Sequence, residues 1–120
     1  MIKVSHNQKR DVVIIEFIGK IDVAQAEQSY LDIQKIIPQC SKGFKILTDL
    51  SQIESIDSES VEVIKKSMDF FNSKGVIEVV RVVPDPSKDI GFNILSLFHY
   101  SKNVKFITVE SREESEELLS

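Results

Sequence analysis

A chain of 120 residues, 42% apolar and 28% charged, can bury one hydrophobic core and fits a single domain over residues 1–120. Fifteen basic and nineteen acidic residues leave a net charge of −4, and residues 110–120 alone hold five Glu and one Arg, so the rest of the chain balances. No Lys/Arg cluster carries interleaved aromatics, which argues against nucleic acid as a partner, and no run of about 18 apolar residues exists, which argues against membrane insertion.

The first ten residues, MIKVSHNQKR, lack the apolar centre of an export signal. The one cysteine, Cys40, has no second thiol to pair with in the chain. Both features lead to the expectation of a reduced, cytoplasmic protein.

Residues 2–5 and 11–18 read as strands. The second, DVVIIEFI, is β-branched and nearly continuous, which predicts burial on both faces. The polar residues 6–10 fit a turn between them, with His6 in solvent, and Gly19 ends the second strand. The period then changes. Val23, Ala26, Tyr30, Ile33 and Ile37 step by 3, 4, 3 and 4 along one stripe of a helix, with Asp22 as N-cap and Pro38 as the stop.

Gly43 opens a strand over residues 44–50, followed by a short connector. A second helix spans residues 58–73, with Val61, Ile64, Met68 and Phe71 facing inward. Asp57 is its expected cap, Glu59 and Glu62 suit its positive end, and Lys74-Gly75 its stop. Residues 76–83, VIEVVRVV, form the next strand. Pro84-Asp85-Pro86 breaks it and starts a third helix with Ile90, Ile94, Leu97 and Phe98 inward. Residues 104–109 are the last strand. Ser111-Arg112-Glu113-Glu114 is a capping box opening a short acidic helix.

The order β-β-α-β-α-β-α-β-α predicts an α/β domain: a mixed five-stranded sheet with four helices, right-handed crossovers, and the first two strands antiparallel at one edge. The chemistry concentrates after the central strand. Ser58 stands at the first turn of a helix, where backbone N–H groups point outward and negative charge is favoured. It is either a phosphoacceptor or only the first residue of a capped helix, with Ser51, Ser55 and Ser60 as fallback acceptors. Asp22, Asp49 and Asp57 lie near strand ends, but with no histidine or phosphate-cradling glycine loop beside them they imply no metal. Cys40 has no histidine or second cysteine nearby in sequence, and no nucleophile with an orienting base is visible, so the expectation is a non-enzyme without a cofactor.

Three groups of residues then form a pattern in order and spacing: Gly19-Lys-Ile-Asp22, Asp49-Leu-Ser51 followed by Ile56-Asp57-Ser58, and Ser111-Arg-Glu-Glu114 at the start of a terminal helix. Together they resemble the STAS domains, which include bacterial anti-sigma-factor antagonists and the cytoplasmic tails of sulfate transporters. The resemblance in element order covers nearly the whole chain. It implies a protein-interaction module switched by a serine kinase-like or anti-sigma partner, with Ser58 modified and Asp22, Asp49, Ser51, Asp57 and Glu59 shaping the docking rim. The chain departs from the family where small residues usually follow the serine: it carries Glu59, Ser60, Val61 and Glu62.

A second implication of the resemblance is a small-molecule or lipid carrier, with Leu97 and Phe98 edging an apolar pocket. A third reading is a scaffold that pairs with a copy of itself as a homodimer.

Overall fold

The computed structural model describes residues 1–83 and 104–119. Five strands form one sheet in sequential order: β1 (Ile2–Asn7), β2 (Val12–Ile21), β3 (Lys45–Ile56), β4 (Glu78–Val82) and β5 (Lys105–Val109). β1 pairs antiparallel with β2, and every other neighbouring pair is parallel, so the sheet is mixed as expected. Among the described residues there are three α-helices, α1 (Val23–Ile36), α2 (Ser58–Ser73) and α3 (Arg112–Leu119), and a 3₁₀ turn at Ile37–Gln39. The third helix expected from Pro84-Asp85-Pro86, with Ile90, Ile94, Leu97 and Phe98, lies outside the described residues. None of the described helices is long and apolar enough to cross a membrane.

The β2–α1–β3–α2–β4 path steps across the sheet in one direction. Right-handed crossovers therefore place α1 and α2 on the same face. There Ile33 and Ile37 from the α1 segment meet Ile64, Met68 and Phe71 of α2 over Val13, Ile15, Phe17, Ile46 and Val79. The alternate side chains Val12, Leu47 and Val80 point to the other face, where they pack with Val109 and Leu119 of the last strand and α3. The near-continuous apolar run of β2 thus serves two cores.

Three elements run further than the sequence suggests, beginning with β1, which continues to Asn7. β2 continues through Gly19, which adopts φ +73, to Ile21. β3 continues to Ile56. The β2–β3 register shifts between Glu16 and Ile18 and again between Gly19 and Lys20, each time with an extra residue on β3. These are bulges, and a bulge beside a left-handed glycine lets a strand bend without ending. The last β3–β4 pair is Asp49 with Val82. Beyond it β3 has β2 alone as a neighbour, and the two strands extend as a ribbon ending at the Ile21–Ile56 pair.

The stop of α2 is as expected from Lys74-Gly75. Gly75 takes φ +91; its N–H donates to the Asn72 carbonyl (3.4 Å) and the Val76 N–H to the Phe71 carbonyl (3.3 Å). This is the two-bond Schellman arrangement, closed by the buried Val76.

Candidate functional site

At the end of the ribbon, Ile21 leads into Asp22 and α1, while Ile56 leads into Asp57 and α2. Pairing of Ile21 with Ile56 sets the two helix starts side by side. The Asp57 N–H donates to the Ile21 carbonyl at 3.0 Å and ties them together. Asp22, Asp57, Ser58 and Glu59 are all exposed here.

The two starts differ in chemistry. Asp22 makes a complete capping box: its Oδ1 accepts the Gln25 N–H (2.8 Å), and Gln25 Oε1 accepts the Asp22 N–H (3.0 Å). Asp57 occupies the N-cap position with extended backbone (φ −67, ψ 144), but its carboxylate makes no capping hydrogen bond. The expected Asp57 cap is therefore corrected: the residue is in place and its side chain is not used. In the first turn of α2 the Ser60 N–H turns back to the Asp57 carbonyl (3.0 Å), and no N-cap side chain covers the turn beside Ser58.

Of the fallback acceptors, Ser51 and Ser55 are exposed. Ser60 is 0% exposed and its hydroxyl has no hydrogen-bond partner, so an enzyme reaches it only after local opening. Glu62 is exposed and lies 3.5 Å from Lys65, one turn further along.

Asp49 does not join this tip. It stands seven positions before Ile56 on β3, about 20 Å at the usual rise per residue. It is 9% exposed. Its Oδ1 accepts the Ser51 N–H at 2.9 Å across the first bulge, and its Oδ2 accepts from Arg112 Nη1 at 3.1 Å. Ser51 is exposed but sits beside Asp49, well back along the ribbon.

Arg112 opens α3 and is shared: its Nε donates to Glu116 Oε1 (3.1 Å), and Glu116 Oε2 accepts from Arg10 Nη2 (2.6 Å). Ser111 accepts the Glu114 N–H at 3.2 Å, the capping half of the expected box. Burial alone would lower the Arg112 pKa, but hydrogen bonds from its guanidinium to Glu116 and Asp49 and their charges carry it above its ordinary value. Burial would likewise raise Glu116, and the hydrogen bonds and charges of Arg10 and Arg112 outweigh it, so its pKa is lowered. A depressed folded-state pKa stabilises the fold above the ordinary carboxyl value and ceases to do so as pH falls through the folded value. We therefore expect thermal stability to start falling below about pH 4.5, the ordinary glutamate value, and Glu116→Gln to make that fall shallower in calorimetric scans.

At the other end of the sheet the structure brings together residues that the sequence reading left apart. His6 belongs to β1 rather than to a turn, and its side chain is 6% exposed rather than solvated. Its Nε2 lies 2.9 Å from Asp11 Oδ1. Cys40, placed by the 3₁₀ turn, has a ligand atom within 4.8 Å of those of both His6 and Asp11. A sequence separation of 34 between His6 and Cys40 conceals this contact from any local motif. The Cys40 thiol is pushed up to about 11 by burial and the Asp11 charge, so a free nucleophilic thiolate is disfavoured near neutral pH.

Under α1 and α2 lies a cavity of about 40 Å³, lined among others by Ile15, Ile33, Met68, Phe71 and Phe106. Its volume fits a few water-sized bodies.

The sheet order, the paired helix starts and the exposed Ser58 define a STAS-type α/β architecture. The family model of the STAS domain matches residues 3–114, and the chain belongs to that family. No curated protein matches the sequence. Among solved structures, the chain is similar to the anti-sigma factor antagonist SpoIIAA in its unphosphorylated form, with 16% identity over 99% of this chain and 97% of that one and a TM-score of 0.70. The phosphorylated form of SpoIIAA from Bacillus gives 18% identity over 100% of both chains and a TM-score of 0.70. An uncharacterized protein of the DUF3478 family from Shewanella loihica, with a SpoIIAA-like fold, gives 13% identity over 100% of this chain and 93% of that one, with a TM-score of 0.73. At such identities the likeness establishes the fold alone.

Proposed function

We propose that this STAS domain is a non-enzymatic protein-interaction module, of the anti-sigma-factor-antagonist kind, switched by phosphorylation of Ser58. The observation that carries the reading is the exposed Ser58 at a helix start whose N-cap side chain makes no capping bond, in a chain of this family. SpoIIAA, which shares the fold, has solved structures in both an unphosphorylated and a phosphorylated form. The docking surface is the tip formed by Asp22, Asp57, Ser58 and Glu59. Asp49 and Ser51 act behind it by shaping the β3 bulge.

A phosphate adds about −1.5 to −2 charges. On Ser58 it would stand among Asp57, Glu59 and Glu62, which already make this turn acidic. The helix end returns only about 0.3–1 kcal/mol to an exposed anion. The added charge therefore acts mainly by repelling an acidic partner surface and filling the contact area, which favours dissociation as the output.

Incubation with candidate serine kinases and measurement of intact mass tests this directly. One phosphate is expected on the unmodified chain and none on Ser58→Ala. In a binding assay with the cognate partner, Ser58→Ala should retain affinity and Ser58→Asp should lose at least about tenfold, given the cost of a like charge at an interface. A chain that accepts no phosphate from its partner kinase, or equal binding by the two variants, would reject the switch.

A further inference from the structure

The cluster at the opposite end of the sheet from Ser58 calls for its own explanation. It is built from three separate segments. His6 comes from the end of β1, Asp11 from the turn before β2, and Cys40 from the end of the 3₁₀ turn after α1. One donor atom from each lies within 4.8 Å of the others. The carboxylate is held in place: Asp11 Oδ2 accepts the Ser41 N–H (3.0 Å) and the Ser41 hydroxyl (2.5 Å), which leaves Oδ1 turned to His6. The His6 side chain is almost wholly buried, and its Nδ1 is also buried, with no hydrogen-bond partner.

A catalytic triad does not account for this arrangement. In a triad the imidazole stands between the nucleophile and the carboxylate. Here the carboxylate stands between the Ser41 hydroxyl and the imidazole, so His6 cannot take the Ser41 proton.

We propose that His6, Asp11 and Cys40 form a binding site for zinc, with three protein ligands and a fourth position left to solvent. The donor set selects the metal class. One imidazole nitrogen, one carboxylate oxygen and one sulfur suit a borderline ion that prefers four ligands. Magnesium and calcium require mainly oxygen donors and higher coordination numbers. Zinc bonds of about 2.0–2.3 Å in a tetrahedron set ligand atoms about 3.3–3.7 Å apart. The His6 and Asp11 donors, 2.9 Å apart, must open by about 0.5 Å and the Cys40 sulfur must close by at most about 1.3 Å, movements that side-chain rotation can supply. Ser41, bonded to the outer carboxylate oxygen, serves as the outer partner that orients a ligand. On binding, the Cys40 S–H bond breaks, its proton leaves to solvent, and the sulfur pair forms the bond to zinc. The His6–Asp11 hydrogen bond opens as both turn toward the ion. The bound ion would fasten the β1–β2 hairpin to the segment that feeds β3.

The test uses tag-free, chelator-stripped full-length protein, with Co(II) as the spectroscopic probe and Zn(II) as its competitor. One equivalent of Co(II) should bind, give a thiolate-to-metal charge-transfer band, and be displaced by zinc. Cys40→Ser should abolish that band. Asp11→Asn, which keeps a residue type tolerant of the φ of +53 at this position, should weaken zinc binding by at least about tenfold. Zinc should raise the melting temperature of the unmodified chain clearly more than that of Asp11→Asn at the same concentration. In the unmodified chain, zinc should also shield Cys40 from alkylation, a readout that depends on no variant. The absence of saturable binding, a band that survives Cys40→Ser, or alkylation at an unchanged rate would reduce the cluster to a hydrogen-bonded lock on the hairpin and overturn the proposal.

Discussion

Phe71→Ala should destabilise the protein by about 3–5 kcal/mol. Phe71 is 2% exposed, and it sits near the end of α2 where the helix meets the sheet. Its ring lies 6.2 Å from that of Phe44 at a 60° tilt, a productive aromatic geometry. It also lines the cavity under the helices, so truncation enlarges an existing void that the neighbours already fail to fill. A domain of this size has about 5–15 kcal/mol in total, so the loss is a large share of its stability. Urea unfolding should show a lower midpoint with an unchanged slope. Phe71→Leu, which refills most of the volume, should cost clearly less. Ser58 is thirteen residues earlier on the same helix, about 20 Å away. Under the proposed switch, phosphorylation of Ser58 should therefore be unaffected by Phe71→Ala at temperatures where the variant is folded. A cost below about 1 kcal/mol would mean that α2 does not rest on the sheet through this residue.

The alternation of apolar periods made most of the fold legible. The 3–4 spacing marks the buried faces of α1 through Ala26, Ile33 and Ile37 and of α2 through Ile64, Met68 and Phe71, while Val23, Tyr30 and Val61 are only half-buried, and the β-branched run of β2 marks a central strand with two covered faces. The far half of β3 was not legible for a physical reason. Past Asp49 the strand has a neighbour on one side only, and two bulges turn Ser51, Gln52, Glu54 and Ser55 to solvent. Strand residues in that setting have the composition of a connector. Gly19 misled in the same way, because a glycine with positive φ can bend a strand as well as end it. The site was legible where it is local: Asp57-Ser58 lies at a helix start as its sequence context indicates. It was not legible where it depends on distant pairing. The burial of Ser60 depends on how α2 meets its surroundings, the Arg112 partner of Asp49 lies 63 residues away, and Cys40 is separated from His6 by 34.

Asp49→Ala is expected to cost about 2–3 kcal/mol, because both carboxylate oxygens hold structure and hydrogen bonds to a charged group are worth about 1.5–3 kcal/mol each. The expected cost lies at or below the bottom of the summed range of about 3–6 kcal/mol, since Arg112 is half-exposed and water can replace part of its bond. Asp49→Asn can still accept the Ser51 N–H and should retain about half of the loss. A residue that served only as docking rim would behave in the opposite way: its removal would leave stability within about 0.5 kcal/mol and weaken partner binding. Amide exchange separates the two cases further. Asp49 closes the bulge from which the β2–β3 ribbon projects toward Ser58. In Asp49→Ala the amides of residues 51–56 should exchange faster, while residues 45–48, paired on both sides, keep their protection. Faster exchange confined to the ribbon would show that the carboxylate sets the rigidity of the element that leads to Ser58, so that under the proposed switch its contribution is to hold that element still.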